Sequence, residues 1–146
     1  MTDSTVLLAH VAATWAMVGV IWMVQLVVYP SFELLGPRER RRFHEAHCTR
    51  TAWVVGPLMG VETATGLWLV GSPPAGIAPW VVWLGMTLIF GNWLATALFS
   101  VPLHRRVSGE DGARARRRLV ATNWVRTAMW SVRGVLVLAW LPVYGW

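Results

Sequence analysis

The chain has 146 residues, the length of one domain, so we expect no multidomain enzyme. Hydrophobic residues make up 55% of it and charged residues only 14%, whereas soluble domains carry about 25% charged residues. This composition excludes an ordinary soluble domain and predicts an all-α integral membrane protein. The net charge is +6 and all 13 basic residues are arginines. Because most of them flank apolar segments, no nucleic acid is expected as a partner.

Four long apolar segments predict four membrane-spanning helices. Each segment is near the roughly 20 residues that cross a bilayer core as a helix. The predicted spans are residues 6–29, 51–70, 80–103 and 119–141. The first is too long for the apolar part of a signal peptide and no cleavage site follows it, so we expect it to stay in the mature protein. We therefore predict one four-helix domain over residues 1–146.

The positions of the arginines predict how these helices cross the membrane. Connections 30–50 and 104–118 hold five and six arginines, whereas connection 71–79 has no charge. By the positive-inside rule the arginine-rich side is cytoplasmic. Short connections make consecutive helices antiparallel neighbours. We predict an antiparallel four-helix bundle with both termini outside, in a bacterial-type inner (cytoplasmic) membrane, with the lipid bilayer as its partner.

Ionisable side chains inside the predicted spans are the first candidate site. Each costs at least ~2.5 to 3.5 kcal/mol at bilayer depth, so it normally faces protein, water or a ligand. There are four of them: His10, Glu62, Arg126 and Arg133. At ~1.5 Å per residue, His10, Glu62 and Arg133 share one layer. A stripe on the first span is expected to face the interior: His10, Thr14, Met17, Ile21 and Gln25.

This layer has two interpretations. Glu62 can form an ion pair with Arg133 or with Arg126 that only fixes how the helices align. Two arginines and one glutamate, however, leave an unbalanced positive charge in the bundle. An anionic ligand would balance it.

A second candidate site lies at the arginine-rich side. His44 and His47 are three residues apart, beside Glu45 and Cys48, and His104 ends the third span at the same surface. Two histidines at this spacing on a helix, with a third histidine, can bind zinc, copper or iron. The alternative interpretation is that these histidines are solvated and bind nothing.

Short motifs are also distributed over all four predicted spans. They are His10 with Thr14-Trp15, QLVVYP at 25–30, GPLM at 56–59, TGLWL at 65–69, Pro79-Trp80, and Arg118-Leu119 with Asn123. Together they resemble the HemJ-type protoporphyrinogen IX oxidases, small four-helix membrane proteins that bind b-type haem. In that family a histidine matching His10 and a lysine of the third helix hold the iron.

The resemblance implies haem b inside the bundle, with His10 as an iron ligand. Because the chain has no lysine, the second axial ligand is open. Met86, at a similar depth on the third span, is one candidate, and a five-coordinate iron is the other. The implied site residues are His10 and Met86 at the iron, Arg133 and Asn123 at the cofactor, and Glu62 and Arg126 in catalysis.

The main hypothesis is therefore a membrane redox protein that exchanges electrons with a quinone or a porphyrin-like molecule. One alternative is a non-catalytic subunit or scaffold of a larger membrane complex, with membrane protein partners or a homo-oligomer. The other alternative is a lipid-modifying enzyme that depends on a metal held by His44, His47 and His104.

Overall fold

The computed structural model describes residues 3–107 and 112–141. Within these residues the chain is helical and contains no strand, which confirms the all-α prediction. There are four long helices in this part of the chain. They are α1 (residues 3–34), α2 (Pro37–Gly71), α3 (Pro79–Arg106) and α4 (Gly112–Leu138).

Three of these helices, α1, α2 and α3, are long and apolar enough to span a membrane, as far as the described residues go. Large apolar side chains such as Trp53 and Trp80 point outward on them, as they would toward lipid. Helix α4 is not in this group because Arg126 and Arg133 lower its hydropathy. Its crossing of the membrane stays a prediction.

Residues 30–50, predicted from apolar segments alone to be a connection, are nearly all helical, so the predicted start of the second span at residue 51 is wrong and a start near Pro37 is correct. Helix α1 continues to Leu34 and α2 begins at Pro37. Proline suits the first turn of a helix, where its missing N–H would have no acceptor. Arg40 closes the short turn by donating hydrogen bonds to the carbonyls of Phe32 and Leu35, both at 2.6 Å. Four of the five arginines of this segment therefore lie on the first two turns of α2, and Arg50 lies on its fourth turn.

Helices α1 and α3 each contain one π-helical turn, at Val24–Val28 and at Thr96–Ser100. Both turns end two residues before a proline, Pro30 or Pro102. Proline cannot donate the usual helical hydrogen bond, and its ring clashes with the carbonyl four residues earlier. The wider π turn lets each helix continue past its proline. Such turns are rare and frequently accompany functional sites.

The helices pack in a ring in which α1 and α3 each contact both α2 and α4. Apolar side chains fill the middle of it, for example Met17 of α1, Met59 of α2 and Trp130 of α4. The predicted stripe on α1, from His10 to Gln25, faces this interior, and each of its five members is at most 3% exposed. Polar side chains of α1 therefore face the interior at two depths: His10 and Thr14 at one, and Gln25 about three turns further along the helix.

Candidate functional site

The first buried polar group is the ion-pair cluster, formed by His10, Thr14, Glu62, Thr65, Trp130 and Arg133. Arg133 Nε donates to Glu62 Oε1 at 2.9 Å, and both side chains are only 1% exposed. Arg133 Nη1 also donates to the carbonyl of Gly85. Thr14 and Trp130 donate to the two Glu62 oxygens at 2.9 and 3.2 Å. The carboxylate and the guanidinium are thus held by three helices besides α2.

His10 has both ring nitrogens in hydrogen bonds within the ion-pair cluster. Its Nδ1 lies 2.7 Å from Thr65 Oγ1, which itself donates to the carbonyl of Val61 at 2.6 Å. The Thr65 oxygen therefore accepts, so His10 Nδ1 carries the proton. Its Nε2 then accepts from Arg133 Nη2 at 3.0 Å. The imidazole is neutral, and the Trp140 ring stacks on it.

The haem implied by the family resemblance can be tested against this arrangement. Met86 does lie beside His10, since a Cβ added to Gly66 would meet the Met86 sulfur at 3.2 Å and His10 Cε1 at 3.4 Å. The space between these residues and Arg133 cannot hold a water molecule, since the volume open to one is about 0 Å³. Ligand pockets measure about 300 to 1,000 Å³.

As arranged here, these residues do not fit a haem, because no space receives the ring and neither nitrogen of His10 is free. Haem b, which only the family resemblance implies, has no support from this arrangement and stays an untested prediction. Its test is the absorption spectrum of the protein purified after expression with ample haem. An iron-bound porphyrin would give a strong Soret band that His10→Ala removes.

The second polar group is the histidine–cysteine cluster, formed by the buried His44 and the partly buried Cys48 and His104. His44 Nε2 and His104 Nδ1 lie 2.9 Å apart, and Cys48 Sγ lies 3.4 Å from each of them. His44 and Cys48 are four residues apart on α2 and so share a face, and the end of α3 brings His104 against it. Among the described residues, no other group of three potential metal-ligating side chains is this close together.

The spacing of these three atoms is close to that of a tetrahedral metal site. Zinc binds imidazole nitrogen at about 2.0 to 2.1 Å and thiolate sulfur at about 2.3 Å. Tetrahedral angles then separate two nitrogens by about 3.3 Å, and a nitrogen and the sulfur by about 3.6 Å. The side chains would have to move apart by only a few tenths of an ångström to admit an ion. Three protein ligands leave the fourth position open.

The predicted third ligand, His47, lies outside this trio. Its Nδ1 is 3.1 Å from Thr51 Oγ1, and its ring stacks on Phe43. Cys48 takes its place, although the sequence indicated it only as a neighbour of the histidines. The four-residue spacing from His44 to Cys48 was the available signal, since residues that far apart on a helix lie one above the other.

A cavity of about 510 Å³ opens beside the histidine–cysteine cluster. Its walls come from α2 and α3, including the π turn of α3, and from one side chain of α4. Its lining extends from Glu45 and Arg105 to Val55, which is ten residues, or about 15 Å, further along α2. The cavity therefore leads from the arginine-rich ends of the helices into their apolar parts.

Arg126 is the side chain of α4 that lines this cavity, and it is 8% exposed. Its Nη1 donates to Ser100 Oγ and to Asn123 Oδ1, both at 3.2 Å, and its guanidinium lies 5.2 Å from the centre of the Trp130 ring. Its Nε has no hydrogen-bond partner. Within residues 3–107 and 112–141 no carboxylate pairs with it. Arg126 is thus a buried cation without a counter-ion.

Asn123, predicted at a cofactor, instead orients Arg126. Its Nδ2 donates to Gln25 Oε1 at 2.8 Å, which leaves its Oδ1 to accept from Arg126. Gln25 belongs to the π turn of α1 and is buried. Both π turns therefore supply groups that reach Arg126 directly or through Asn123.

A scan against protein-family models matched no family, and comparisons with curated proteins and with solved structures found no match. These results neither support nor exclude the resemblance to HemJ-type oxidases, which stays one of short motifs. Function is therefore inferred from the chain's own side chains.

Proposed function

We propose that this protein is a membrane-embedded, metal-dependent enzyme that acts on a lipid-like substrate. His44, Cys48 and His104 hold the metal ion. The observation that carries the proposal is the approach of two imidazole nitrogens and one sulfur, from two helices, to within 3.4 Å of one another. The proposal retains the metal-dependent alternative from the sequence, with Cys48 in the place of His47.

The donor set favours zinc or copper. Thiolate is a soft ligand that selects these metals over magnesium or calcium, and imidazole suits both. Bound with one open position, such an ion supplies a Lewis acid and an activated water. His44 and His104 bind it as neutral rings and Cys48 as the thiolate. The cavity that these three side chains line would admit the substrate to the ion.

The shape and lining of the cavity support a lipid-like substrate. Its lining includes the charged side chains of Glu45 and Arg105 and the apolar side chains of Val55 and Val101. A volume of about 510 Å³ is within the usual range for a small-molecule site. A molecule with a polar head and an apolar body matches this lining better than a fully polar one.

We further propose that the helices form an antiparallel bundle in a bacterial-type inner membrane, with the arginine-rich ends on the cytoplasmic side. Contacts between α1 and α2 support the antiparallel order, since His10 bonds to Thr65 and Thr14 bonds to Glu62. Arginines at the junctions of α1 with α2 and of α3 with α4 support the orientation. The metal site then lies near the cytoplasmic surface, where both water and lipid headgroups can reach it.

Metal analysis of the purified protein tests the proposed function. After incubation with zinc or copper(I) and removal of excess ion, wild-type protein in an uncharged detergent should retain about one ion per chain. Cys48→Ala and His104→Ala should each lose most of it. His47→Ala is the matched control, because His47 is a neighbouring histidine outside the trio, and it should retain the ion.

Two results would contradict the proposal. One is a wild-type protein that holds well below one zinc, copper or iron ion per chain. The other is a His47→Ala variant that loses the metal as completely as His104→Ala does, which would mean that binding depends on general histidine content at this surface.

A further inference from the structure

The surplus positive charge inside the bundle belongs to Arg126. Arg133 and Arg126 are both buried on α4, seven residues apart. Arg133 is paired with Glu62, whereas the hydrogen-bond partners of Arg126 are the neutral side chains of Ser100 and Asn123. A buried cation without a counter-ion is unfavourable at bilayer depth, so such residues normally mark ligand or ion sites.

The free part of the Arg126 guanidinium is the part that best binds an anion. Both of its hydrogen bonds use Nη1. Nε and Nη2, which lie on one edge of the guanidinium plane, make no hydrogen bond within the described residues, and Nε is buried without a partner. This edge offers two parallel N–H donors, the arrangement that binds carboxylate or phosphate oxygens in pairs.

Arg126 also lies where a ligand of the cavity would meet it. It lines the cavity of about 510 Å³ together with all three members of the histidine–cysteine cluster. It lines a second cavity of about 50 Å³, whose wall includes Tyr29, His47 and His104. Arg126 thus lines both spaces, and the larger of them is also lined by the proposed metal ligands.

We propose that Arg126 binds the carboxylate or phosphate head of an amphiphile whose apolar body occupies the cavity. Ser100 and Asn123 orient the guanidinium through its Nη1, which leaves the edge formed by Nε and Nη2 for the anion. The inference rests on the proposed function in taking this cavity as the substrate site, but binding of the anion does not require the metal.

Binding to the wild-type protein is the first test, measured as the shift of the thermal unfolding midpoint in an uncharged detergent. The probes are dodecyl phosphate, dodecanoate, dodecanol and inorganic phosphate. Dodecyl phosphate or dodecanoate should raise the midpoint at concentrations at which dodecanol and inorganic phosphate do not. If dodecanol stabilises equally, the charge has no role and the proposal fails. If inorganic phosphate stabilises equally, the ligand is a free anion and the amphiphile is excluded.

Variants of Arg126 are the second test. Arg126→Met retains the apolar stem but removes the charge, and should weaken binding of the anionic amphiphile by at least about tenfold. Arg126→Lys retains the charge without the two-donor edge, so it should bind more weakly than wild type and more tightly than Arg126→Met. Arg118→Met is the matched control, because Arg118 is an exposed arginine of the same helix that does not line this cavity, and it should bind like wild type.

Unchanged binding in Arg126→Met would overturn the proposal, as would an equal loss in Arg118→Met. If Arg126→Met does not fold, the comparison of the four probes on wild-type protein and on Arg126→Lys still decides. Cys48→Ala separates this inference from the proposed function, because it should lose the metal and still bind the anionic amphiphile. Wild-type protein that binds the anion but holds no metal would refute only the proposed metal site. Wild-type protein that holds the metal but does not bind the anion would refute only the role of Arg126.

Discussion

Two arginines on one helix lie in opposite surroundings. Arg133 donates to a carboxylate, an imidazole, a hydroxyl and a carbonyl, in a region with no space for a water molecule. Arg126, two turns away, has neutral partners, an unpartnered Nε and a cavity of about 510 Å³ beside it. The difference shows that a buried charge has a structural role where its partners are complete, and indicates a ligand site where they are not.

The ion-pair cluster and the histidine–cysteine cluster differ in the same way as these two arginines. The ion-pair cluster joins all four helices, and its hydrogen bonds satisfy both oxygens of Glu62 and both nitrogens of His10. The histidine–cysteine cluster joins only α2 and α3, next to the π turn of α3. Irregular helix geometry and unpaired polar groups tend to occur at functional sites, because a bound ligand, and not the fold, completes the polar pairing there.

The largest effect that would sharpen this comparison is the loss of one member of the buried ion pair. Arg133→Met leaves the Glu62 carboxylate without its counter-ion and should lower the free energy of unfolding by about 3 to 5 kcal/mol. Unfolding of the purified variant in detergent measures it. The double variant Glu62→Met/Arg133→Met is the control and should recover most of the loss. A single variant as stable as wild type would break the comparison.

The metal should contribute the next largest effect. At a free zinc concentration about 100 times the dissociation constant, binding should stabilise the folded protein by about 2.7 kcal/mol. The rise in the unfolding midpoint on addition of zinc measures it, and Cys48→Ser should abolish that rise. The same rise in Cys48→Ser would show that zinc acts elsewhere.

A smaller effect is expected at Thr65, which bonds to His10 and not to Arg133 itself. Thr65→Val keeps the side-chain shape but removes the acceptor of His10 Nδ1, which leaves a buried donor unpaired. This should cost about 1 to 3 kcal/mol of stability. Thr49→Val is the control, since Thr49 is on the same helix and, among the described residues, its hydroxyl bonds only to the carbonyl of Glu45. Equal effects in the two variants would contradict the assigned role of Thr65.

The smallest effect is expected at Arg126. Arg126→Met removes a charge that has no counter-ion, and this gain offsets the loss of hydrogen bonds to Ser100 and Asn123. The ligand-free protein should therefore change in stability by less than about 1 kcal/mol. A destabilisation as large as that of Arg133→Met would mean that the two arginines have the same structural role.

The meeting of His10, Glu62 and Arg133 illustrates what sequence can predict. Ionisable groups in apolar spans must find partners, and a rise of ~1.5 Å per residue placed these three at one depth. The choice between Arg133 and Arg126 as the partner of Glu62 stayed open, because it depends on how far α4 is shifted along α2. A shift of two turns would exchange them, and no pattern in either helix specifies it.

Cys48 shows a different limit. His47 and Cys48 follow His44 by three and four residues, so both lie near one face of α2, and only the position of α3 decides which of them meets His104. The π turns also depend on packing around Pro30 and Pro102. The start of α2 at Pro37, in contrast, agrees with the preference of proline for the first turn of a helix, which the sequence alone shows.

X-ray absorption at the zinc edge of the loaded wild-type protein and of Cys48→Ser tests the central claim most directly. The account expects one sulfur at about 2.3 Å and nitrogen ligands at about 2.0 Å in wild type, with the sulfur replaced by a lighter atom in the variant. A wild-type spectrum with only nitrogen and oxygen ligands, or one that Cys48→Ser leaves unchanged, would contradict it.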